Sequence, residues 1–405
     1  MNILLVIITS LLVDTASTEA YLQGQYMQST MPLVGTSDGG FSIHAQSVYD
    51  INTVSRVFGE ASYSWSQSKG NQYVENADYT LLYPYLTCDT VGGGMRTEQY
   101  TFRGGYRMNK NHVLWHLALQ YRAVQSYRSI DPRPKNKVAE LNVEGSVGYV
   151  DNRYAYSLMA EVGRYKQNND ISFYSELGNA QVYHLVQLGQ EYARFSGDFL
   201  SAYYHGLTAG GTFMLQPQSR GWLSGLGYHY MFVTKELSSS TSTPIARIRT
   251  HTVSALLGYA APRWRATVRT DYMTRIGTQY LYGDVTGNYY HLLLKENNYS
   301  NQQLTLTAAG NYRQPLSVGY LNIAVDLSYL HKMAFNEAVT DNDRFADLAT
   351  YLRAAQLQTK LAIRYAFPIK GRFSWFVEPI ATYNHYIAAR TCYAWEVMVK
   401  TGVVF

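Results

Sequence analysis

The chain has 405 residues, only 16% of which are charged, and its formal net charge at neutral pH is +5. Its mean hydropathy is −0.23, and beyond the N-terminus no apolar run approaches the roughly 20 residues that a membrane-spanning helix needs. No cluster of Lys and Arg resembles a nucleic-acid-binding patch, so we expect no nucleic acid as partner.

The N-terminal residues 1–20 resemble a secretory signal. An apolar core runs from Ile3 to Val13, and small residues follow as far as Ala20. The segment departs from the usual pattern because no Lys or Arg precedes the core. Two interpretations therefore stay open: a signal that is processed near Ala20, or a start that is truncated relative to the true signal.

From Tyr21 onward the chain repeats one unit: an alternating segment, a short polar turn, a second alternating segment and a long polar stretch. In FSIHAQSVYDI, for example, Phe41 and Ile43 fall on one side, whereas His44 and Gln46 fall on the other. A period of two over ten or more residues is the signature of a strand. Residues 21–405 are therefore predicted to form a single all-β domain.

Short and long connections alternate along this domain. The longest polar stretches lie at about 68–95, 167–202, 278–300 and 333–351. This asymmetry is typical of a transmembrane up-and-down antiparallel β-barrel in a bacterial outer membrane, with short periplasmic turns and long external loops. We expect about 16 strands if residues 20–29 form the first one; the alternative is 14 strands with one hairpin folded elsewhere.

The apolar face of the predicted strands often ends in Tyr, of which the chain has 38. Such rings suit a membrane–water interface, because the ring is half-buried while the hydroxyl stays in water. The strands are also longer than the roughly 5 to 6 residues that are usual in soluble sheets. Both features favour a barrel surrounded by outer-membrane lipid over a soluble sandwich.

The opposite, polar face is expected to line the lumen. Its charged residues are the candidate lumen-lining residues: Glu60, Arg122, Glu140, Glu144, Glu161, Arg265, Arg269, Asp271, Asp326, Lys360, Arg364 and Glu378. One interpretation is a network of ion pairs and water across a wide interior; the other is a transverse field in an open channel that orients polar solutes. No segment long enough for a separate plug domain remains, so any constriction must come from the external loops.

The sequence offers little for catalysis. HEXXH, GXSXG and P-loop motifs are absent, and we expect no enzyme, no cofactor and no metal site. Cys88 and Cys392 could form one disulfide, but two unbonded thiols are the favoured interpretation. Among the loops, residues 171–204 are rich in Tyr, and VYHLVQLGQEYARF within them predicts a short helix. Such loops could bind a protein partner or a sugar, or could simply pack against each other.

The segment YAWEVMVKTGVVF puts apolar residues at every second position up to an aromatic end. Phe405, Val403, Val399 and Val397 resemble the signal by which the barrel-insertion machinery recognises outer-membrane proteins. Together with FSIHAQSVYDIN, RVFGEASYSW and the Tyr-rich loops, this end resembles a family of uncharacterised outer-membrane barrels from Bacteroidota, classed as a domain of unknown function. The resemblance implies an outer-membrane location in a Gram-negative bacterium and no established activity.

These observations predict a porin-like barrel for passive or gated transport of polar solutes. The competing hypothesis is a non-conducting barrel that serves as the membrane component of an export or assembly complex.

Overall fold

A computed structural model of the chain describes residues 17–175, 182–185, 201–237, 243–282, 292–337, 350, 353–370, 373–387 and 392–405. Within these residues, sixteen antiparallel strands close into a single barrel, which confirms the predicted fold class and the larger of the two strand numbers. None of the helices in the described part of the chain has the length and apolar character that crossing a membrane requires.

The barrel wall follows the chain order with two interruptions. Its strands are β1 (Ser17–Ser29), β2 (Ser37–Asp50), β3 (Ser55–Lys69), β5 (Arg96–Lys110), β6 (Val113–Tyr127), β7 (Arg133–Val150), β8 (Tyr154–Ser172), β10 (Ala202–Pro217), β11 (Gly221–Leu237), β12 (Thr243–Ala260), β13 (Trp264–Tyr282), β14 (Leu292–Pro315), β15 (Tyr320–Glu337), β16 (Ala355–Lys370), β17 (Phe373–Ile387) and β18 (Cys392–Val404). Outside the wall lie one helical turn, α1 (Tyr79–Leu82), and two short strands, β4 (Thr87–Asp89) and β9 (Val182–His184).

The outer surface of the barrel is apolar because the strands alternate in the way the sequence predicts. In β6, Leu117 is 59% exposed on the outside, whereas the next residue, Ala118, is 2% exposed. A band of exposed large apolar side chains is costly in water but favourable against lipid, and only a closed barrel satisfies the backbone of membrane-spanning strands. The protein is therefore located in the bacterial outer membrane.

The barrel closes between β1 and β18. The two strands pair in register from Glu19 and Val404 onward. Beyond them, the Phe405 backbone N–H donates to the Thr18 carbonyl oxygen at 2.8 Å. Closure leaves no strand edge in the hydrocarbon layer, where unpaired backbone groups have no partner.

The two ends of the barrel differ. We call the end with the short connections, such as Asp151 to Arg153 between β7 and β8, the turn end, and the opposite end the loop end. At the loop end several strands run into the ranges that the sequence assigns to loops: β8 reaches Ser172 and β13 reaches Tyr282. Their ladders continue there, for example between Tyr280 and Lys295, even though the side chains are polar.

The connection between β3 and β5, residues 70–95, folds into the lumen at the loop end; we call it the lumen loop. It contains α1 and β4, and β4 pairs with β9 inside the barrel. Leu82, Leu86 and Cys88 are fully buried, and they share one apolar cluster with wall residues such as Tyr204. The sequence predicted an external loop at 68–95, but the segment folds inward because its apolar residues pack against the lumen side of the wall. The sequence expected the restriction of the path from the loop at 167–202, and that expectation stays a prediction.

The structure also differs from a second prediction, which concerns the segment that contains β9. The sequence predicted a short helix in VYHLVQLGQEYARF, but Val182–His184 form a strand because they pair with Thr87–Asp89. The remainder of that segment, residues 186–195, lies outside the described residues.

Candidate functional site: the lumen

The described residues line two cavities inside the barrel. The central cavity has a volume of about 770 Å³, and the lumen loop and the β1–β2 connection cover it on the side of the loop end. The smaller cavity, of about 370 Å³, lies near the turn end of β14 to β18, β1 and β2. The polar side chains that line the central cavity include Asp78, Gln99, Gln120, Arg122, Glu140, Asn142, Glu144, Glu161, Thr208, His229, Arg275, Asn301, Gln303, Lys332 and Gln356.

Three predicted acids form one wall of the central cavity. Glu140 and Glu144 belong to β7 and Glu161 to β8, and Glu144 is the direct partner of Glu161 across the ladder. The neighbouring strand leaves space for this pair at Gly210, where a Cβ atom would lie 2.6 Å from Glu161 Oε1. His229 Nε2 lies 3.6 Å from the same oxygen, which is longer than a hydrogen bond.

Arg103 on β5 supplies the main positive charge behind this wall. Its Nη2 lies 3.1 Å from Glu144 Oε2, and its Nη1 lies 3.6 Å from Glu60 Oε1. The sequence reasoning placed Glu60 and Glu144 on the lumen face but missed Arg103. The alternation of RTEQYTFRGGYR contains the signal, because Arg103 shares its side of the strand with Thr101 and Gln99.

Arg122 joins the wall to the lumen loop. Its Nε donates to Glu140 Oε2 at 2.9 Å, while Nη1 and Nη2 donate to the two carboxylate oxygens of Asp78 at 3.2 and 2.6 Å. A bidentate arginine–carboxylate pair is both directional and strong. Since Asp78 immediately precedes α1, this pair fixes the helical turn above the cavity.

A buried cluster anchors the lumen loop nearer its ends. Arg128, which directly follows β6, approaches Asp89 Oδ2 at 2.8 Å and Glu75 Oε1 at 3.6 Å through its Nη2. Both carboxylates are fully buried. Burial, reinforced by the charge of Asp89, raises the pKa of Glu75 well above its ordinary value of 4.5.

The far side of the barrel also holds the loop. Lys235 Nζ on β11 donates to the Leu86 carbonyl at 2.7 Å, and the Tyr85 hydroxyl donates to Asn298 Oδ1 on β14 at 2.7 Å. Arg275 Nη1 on β13 donates to the Thr80 carbonyl at 2.9 Å. The anchors are therefore distributed around the wall, and the loop lies across the lumen at this end.

Arg275 and Lys332 supply positive charge on the side of the central cavity away from the acid wall. They belong to β13 and β15, and β10, β11 and β12 separate β13 from β8 around the barrel. Sequence reasoning missed both residues. The basic residues predicted for this side of the lumen, Arg265, Arg269, Lys360 and Arg364, lie closer to the turn end.

Four other predicted residues line the turn-end cavity: Asp326, Lys360, Arg364 and Glu378. Arg364 Nη2 lies 3.2 Å from Glu19 Oε1, and its Nη1 lies 3.7 Å from Glu378 Oε2. Lys400 Nζ lies 3.7 Å from the other oxygen of Glu378. Opposite charges thus pair within this cavity and do not face the acid wall of the central one.

The remaining predicted residues, Arg265, Arg269 and Asp271, lie on β13 and line neither of the two cavities. Arg269 donates to Asp271 Oδ1 through both Nε and Nη2, at 2.8 and 2.7 Å. Arg265 lies nearer the turn end, where it pairs in register with Ala260 and Asn311.

The two cysteines are present as thiols, and both are buried in the apolar cluster of the lumen loop. Burial raises the pKa of the Cys88 thiol well above its ordinary value, so the thiolate is disfavoured while the loop is seated. Within the described residues, no group of three or more His, Cys, Asp or Glu side chains is placed to hold a metal ion.

Val397, Val399 and Val403 of the predicted insertion signal lie on the last strand, and Phe405 directly follows it. Val397, Val399 and Phe405 are each about half exposed on the outside, and Val403 is less so. The Phe405 ring meets Phe373 edge to face, with the ring centroids 5.1 Å apart. Their recognition by the insertion machinery stays a prediction.

Comparison with known proteins gives a family and an architecture. The model of a family described as "Family of unknown function (DUF6850)" matches residues 10–403. No curated protein matches the chain.

Among solved structures, a Pseudomonas aeruginosa FadL homologue is 9% identical with a TM-score of 0.46, covering 97% of this chain and 90% of its own. A deltaS2 mutant of the TodX monoaromatic hydrocarbon channel is 8% identical with a TM-score of 0.42, covering 98% and 90%. CdiB from Escherichia coli is 12% identical with a TM-score of 0.41, covering 96% and 63%. These likenesses are too distant to carry a functional argument.

Proposed function

Because this chain belongs to DUF6850, a family of unknown function, we propose a function from the lumen itself: a non-enzymatic, gated channel for small polar solutes. The observation that carries this proposal is the central cavity, a space of about 770 Å³ lined by charged and amide side chains inside a membrane barrel. Pockets for small ligands fall in the range of roughly 300–1,000 Å³.

The lumen loop is the gate in this proposal. It is tethered by polar contacts, such as Asp78 with Arg122 and Asp89 with Arg128, and not only by apolar packing. Polar contacts can be exchanged for water or solute contacts at modest net cost, because the intrinsic strength of a hydrogen bond is largely offset by solvation. A loop held in this way can leave its seat without unfolding the barrel ladders.

Conductance of the purified protein in planar bilayers tests the proposal. We expect the wild type to switch between closed and conducting states. A variant in which a Gly-Ser linker replaces residues 74–90 should conduct continuously, since it lacks the gate. Glu144→Gln should reduce the preference for cations by removing a lumen charge, while Arg153→Ala in an exposed turn serves as the matched control.

The competing hypothesis, a non-conducting barrel within an export or assembly complex, predicts another pattern. A wild type that stays silent at all voltages, while the linker variant conducts, would contradict passage through the native protein. The number of anchors around the lumen loop favours this alternative and makes the comparison necessary. A protein partner at the external loops and an origin in Gram-negative Bacteroidota stay predictions.

A further inference from the structure

We infer that the central cavity binds a short zwitterionic peptide, with its ammonium group at the Glu144–Glu161 pair and its carboxylate at Lys332 and Arg275. This inference rests on the proposed channel function and specifies the class of solute. It is carried by three features of the same cavity: the acid wall, the basic side and an amide oxygen without a partner.

The acid wall holds more negative charge than its partners neutralise. Glu144 and Glu161 are direct neighbours on β7 and β8, yet Arg103 contacts only Glu144 of the two. Among the residues that the structure describes, the candidate partner of Glu161 is His229, whose Nε2 lies 3.6 Å from Oε1, beyond hydrogen-bond distance. A ligand ammonium with three donors would satisfy Glu161 and reduce the repulsion between the two carboxylates.

The basic side is suited to a carboxylate. Lys332 Nζ donates to Gln303 Oε1, which uses one of the three donors of an ammonium group. Arg275 donates from Nε to the Thr250 hydroxyl and from Nη1 to the lumen loop. Its side chain also lines the central cavity. Both side chains belong to the same cavity as the acid wall, so a single ligand can contact the two sides.

Asn301 is the observation that points to a peptide. It pairs in register with Arg275, lines the cavity and is only 3% exposed. Among the described residues, no donor reaches its Oδ1. A buried acceptor without a partner is costly, and an amide N–H of a peptide backbone passing from Glu161 towards Lys332 would satisfy it.

Calorimetric titration of the full-length protein in detergent tests this inference with four probes: triglycine, N-acetyl-triglycine, triglycinamide and glucose. We expect triglycine to bind about tenfold or more tightly than either blocked form, because each block removes one charge-assisted contact, and glucose to bind weakest. In Glu161→Gln, N-acetyl-triglycine should bind as tightly as triglycine. In Lys332→Met, triglycinamide should bind as tightly as triglycine. Arg265→Gln, on the lumen face outside both cavities, is the matched control.

Equal binding of all three peptides, or binding that is unchanged in both variants, would overturn the inference. Weaker binding of N-acetyl-triglycine alone, with triglycinamide binding as tightly as triglycine, would also overturn it, because the cavity would then recognise only a cation. The inference is supported if both blocked peptides bind the wild type more weakly than triglycine, if the difference for the acetylated peptide disappears in Glu161→Gln, and if that for the amidated peptide disappears in Lys332→Met. The proposed function fails separately: a protein that never conducts salt in bilayers is not a channel, whereas a conducting protein that ignores triglycine is a channel for another solute.

Discussion

Gly277 on β13 lies directly against Tyr85 of the lumen loop: a Cβ atom at position 277 would fall 2.6 Å from the Tyr85 hydroxyl oxygen and 2.9 Å from Tyr299 Cβ. Tyr85 is fully buried, and its hydroxyl donates to Asn298. The absence of a side chain on the wall therefore creates the seat for a side chain of the loop. This contact links the sequence of a membrane strand to the position of the lumen loop.

Gly277→Ala should loosen the lumen loop without opening the barrel wall. The added methyl group forces Tyr85 away from Asn298, so the loop spends more time unseated. In a Cys392→Ala background, where Cys88 is the only thiol, we expect the rate at which a maleimide labels Cys88 to rise about tenfold, equivalent to about 1.4 kcal/mol.

Gly310→Ala is the matched control for this substitution, because a Cβ atom there meets no atom within 4 Å. Equal labelling rates in the two variants would show that Tyr85 does not help to seat the loop.

Arg128→Ala should release the lumen loop more strongly. It leaves Glu75 and Asp89 fully buried beside each other without their arginine. Removing one partner of a buried ion pair costs about 3–5 kcal/mol, so Cys88 labelling should rise by at least a hundredfold. The barrel ladders do not involve this guanidinium. The protein should therefore still migrate on unheated gels at the position of the folded barrel and not at that of the unfolded chain. Arg153→Ala should change neither the rate of Cys88 labelling nor the migration of the folded barrel. Labelling of Arg128→Ala at the wild-type rate would contradict the anchoring role of Arg128.

The closed loop should weaken as the pH rises. Burial and Asp89 raise the pKa of Glu75 well above 4.5 in the seated loop, whereas an unseated Glu75 in water has its ordinary pKa. The seated state therefore binds the proton more tightly. The stabilisation of the seated loop by protonated Glu75 is complete below pH 4.5 and is lost as the pH rises through the raised pKa of Glu75.

Cys88 labelling across this range, corrected for the intrinsic reactivity of a free thiol, measures the effect. We expect the corrected rate to rise with pH in the wild type. In Glu75→Gln, which imitates the protonated side chain, the rate should be nearly constant. Parallel curves for the two proteins would exclude Glu75 as the titrating group.

Phe405→Asp should reduce insertion of the barrel into the membrane. The substitution places a charge directly after β18 on the outer side of the barrel and removes the contact with Phe373. Charges on the lipid face are least favourable at the midplane and cost about 0–1 kcal/mol near an interface, so an effect well above this range would indicate loss of recognition by the insertion machinery. The measurement is the folded fraction in outer-membrane extracts, with Phe405→Tyr as the control that keeps the ring.

The alternation of the strands made the barrel predictable. Period two depends only on neighbouring residues, so Glu144 and Glu161 could be placed on the lumen face of their strands before any contact was known. The lumen loop was not predictable in the same way. Its seat depends on pairs such as Asp78 with Arg122, which are far apart in the chain and follow no period.

Arg275 and Lys332 were missed for a related reason. They lie towards the loop end of β13 and β15, where the sequence becomes too polar for a strand to be recognised by its apolar face. Which basic residues share a cavity with Glu161 is decided by the relative heights of strands around the barrel, and the register of each ladder sets these heights.

The distribution of the loop anchors has a consequence for assembly. Arg128 follows β6, Lys235 belongs to β11, and Asn298 belongs to β14, so the seat of the lumen loop does not exist until strands from both halves of the chain stand in one wall. The loop therefore cannot complete its contacts before the wall from β6 to β14 has assembled, so the seating of the loop depends on the assembly of the barrel.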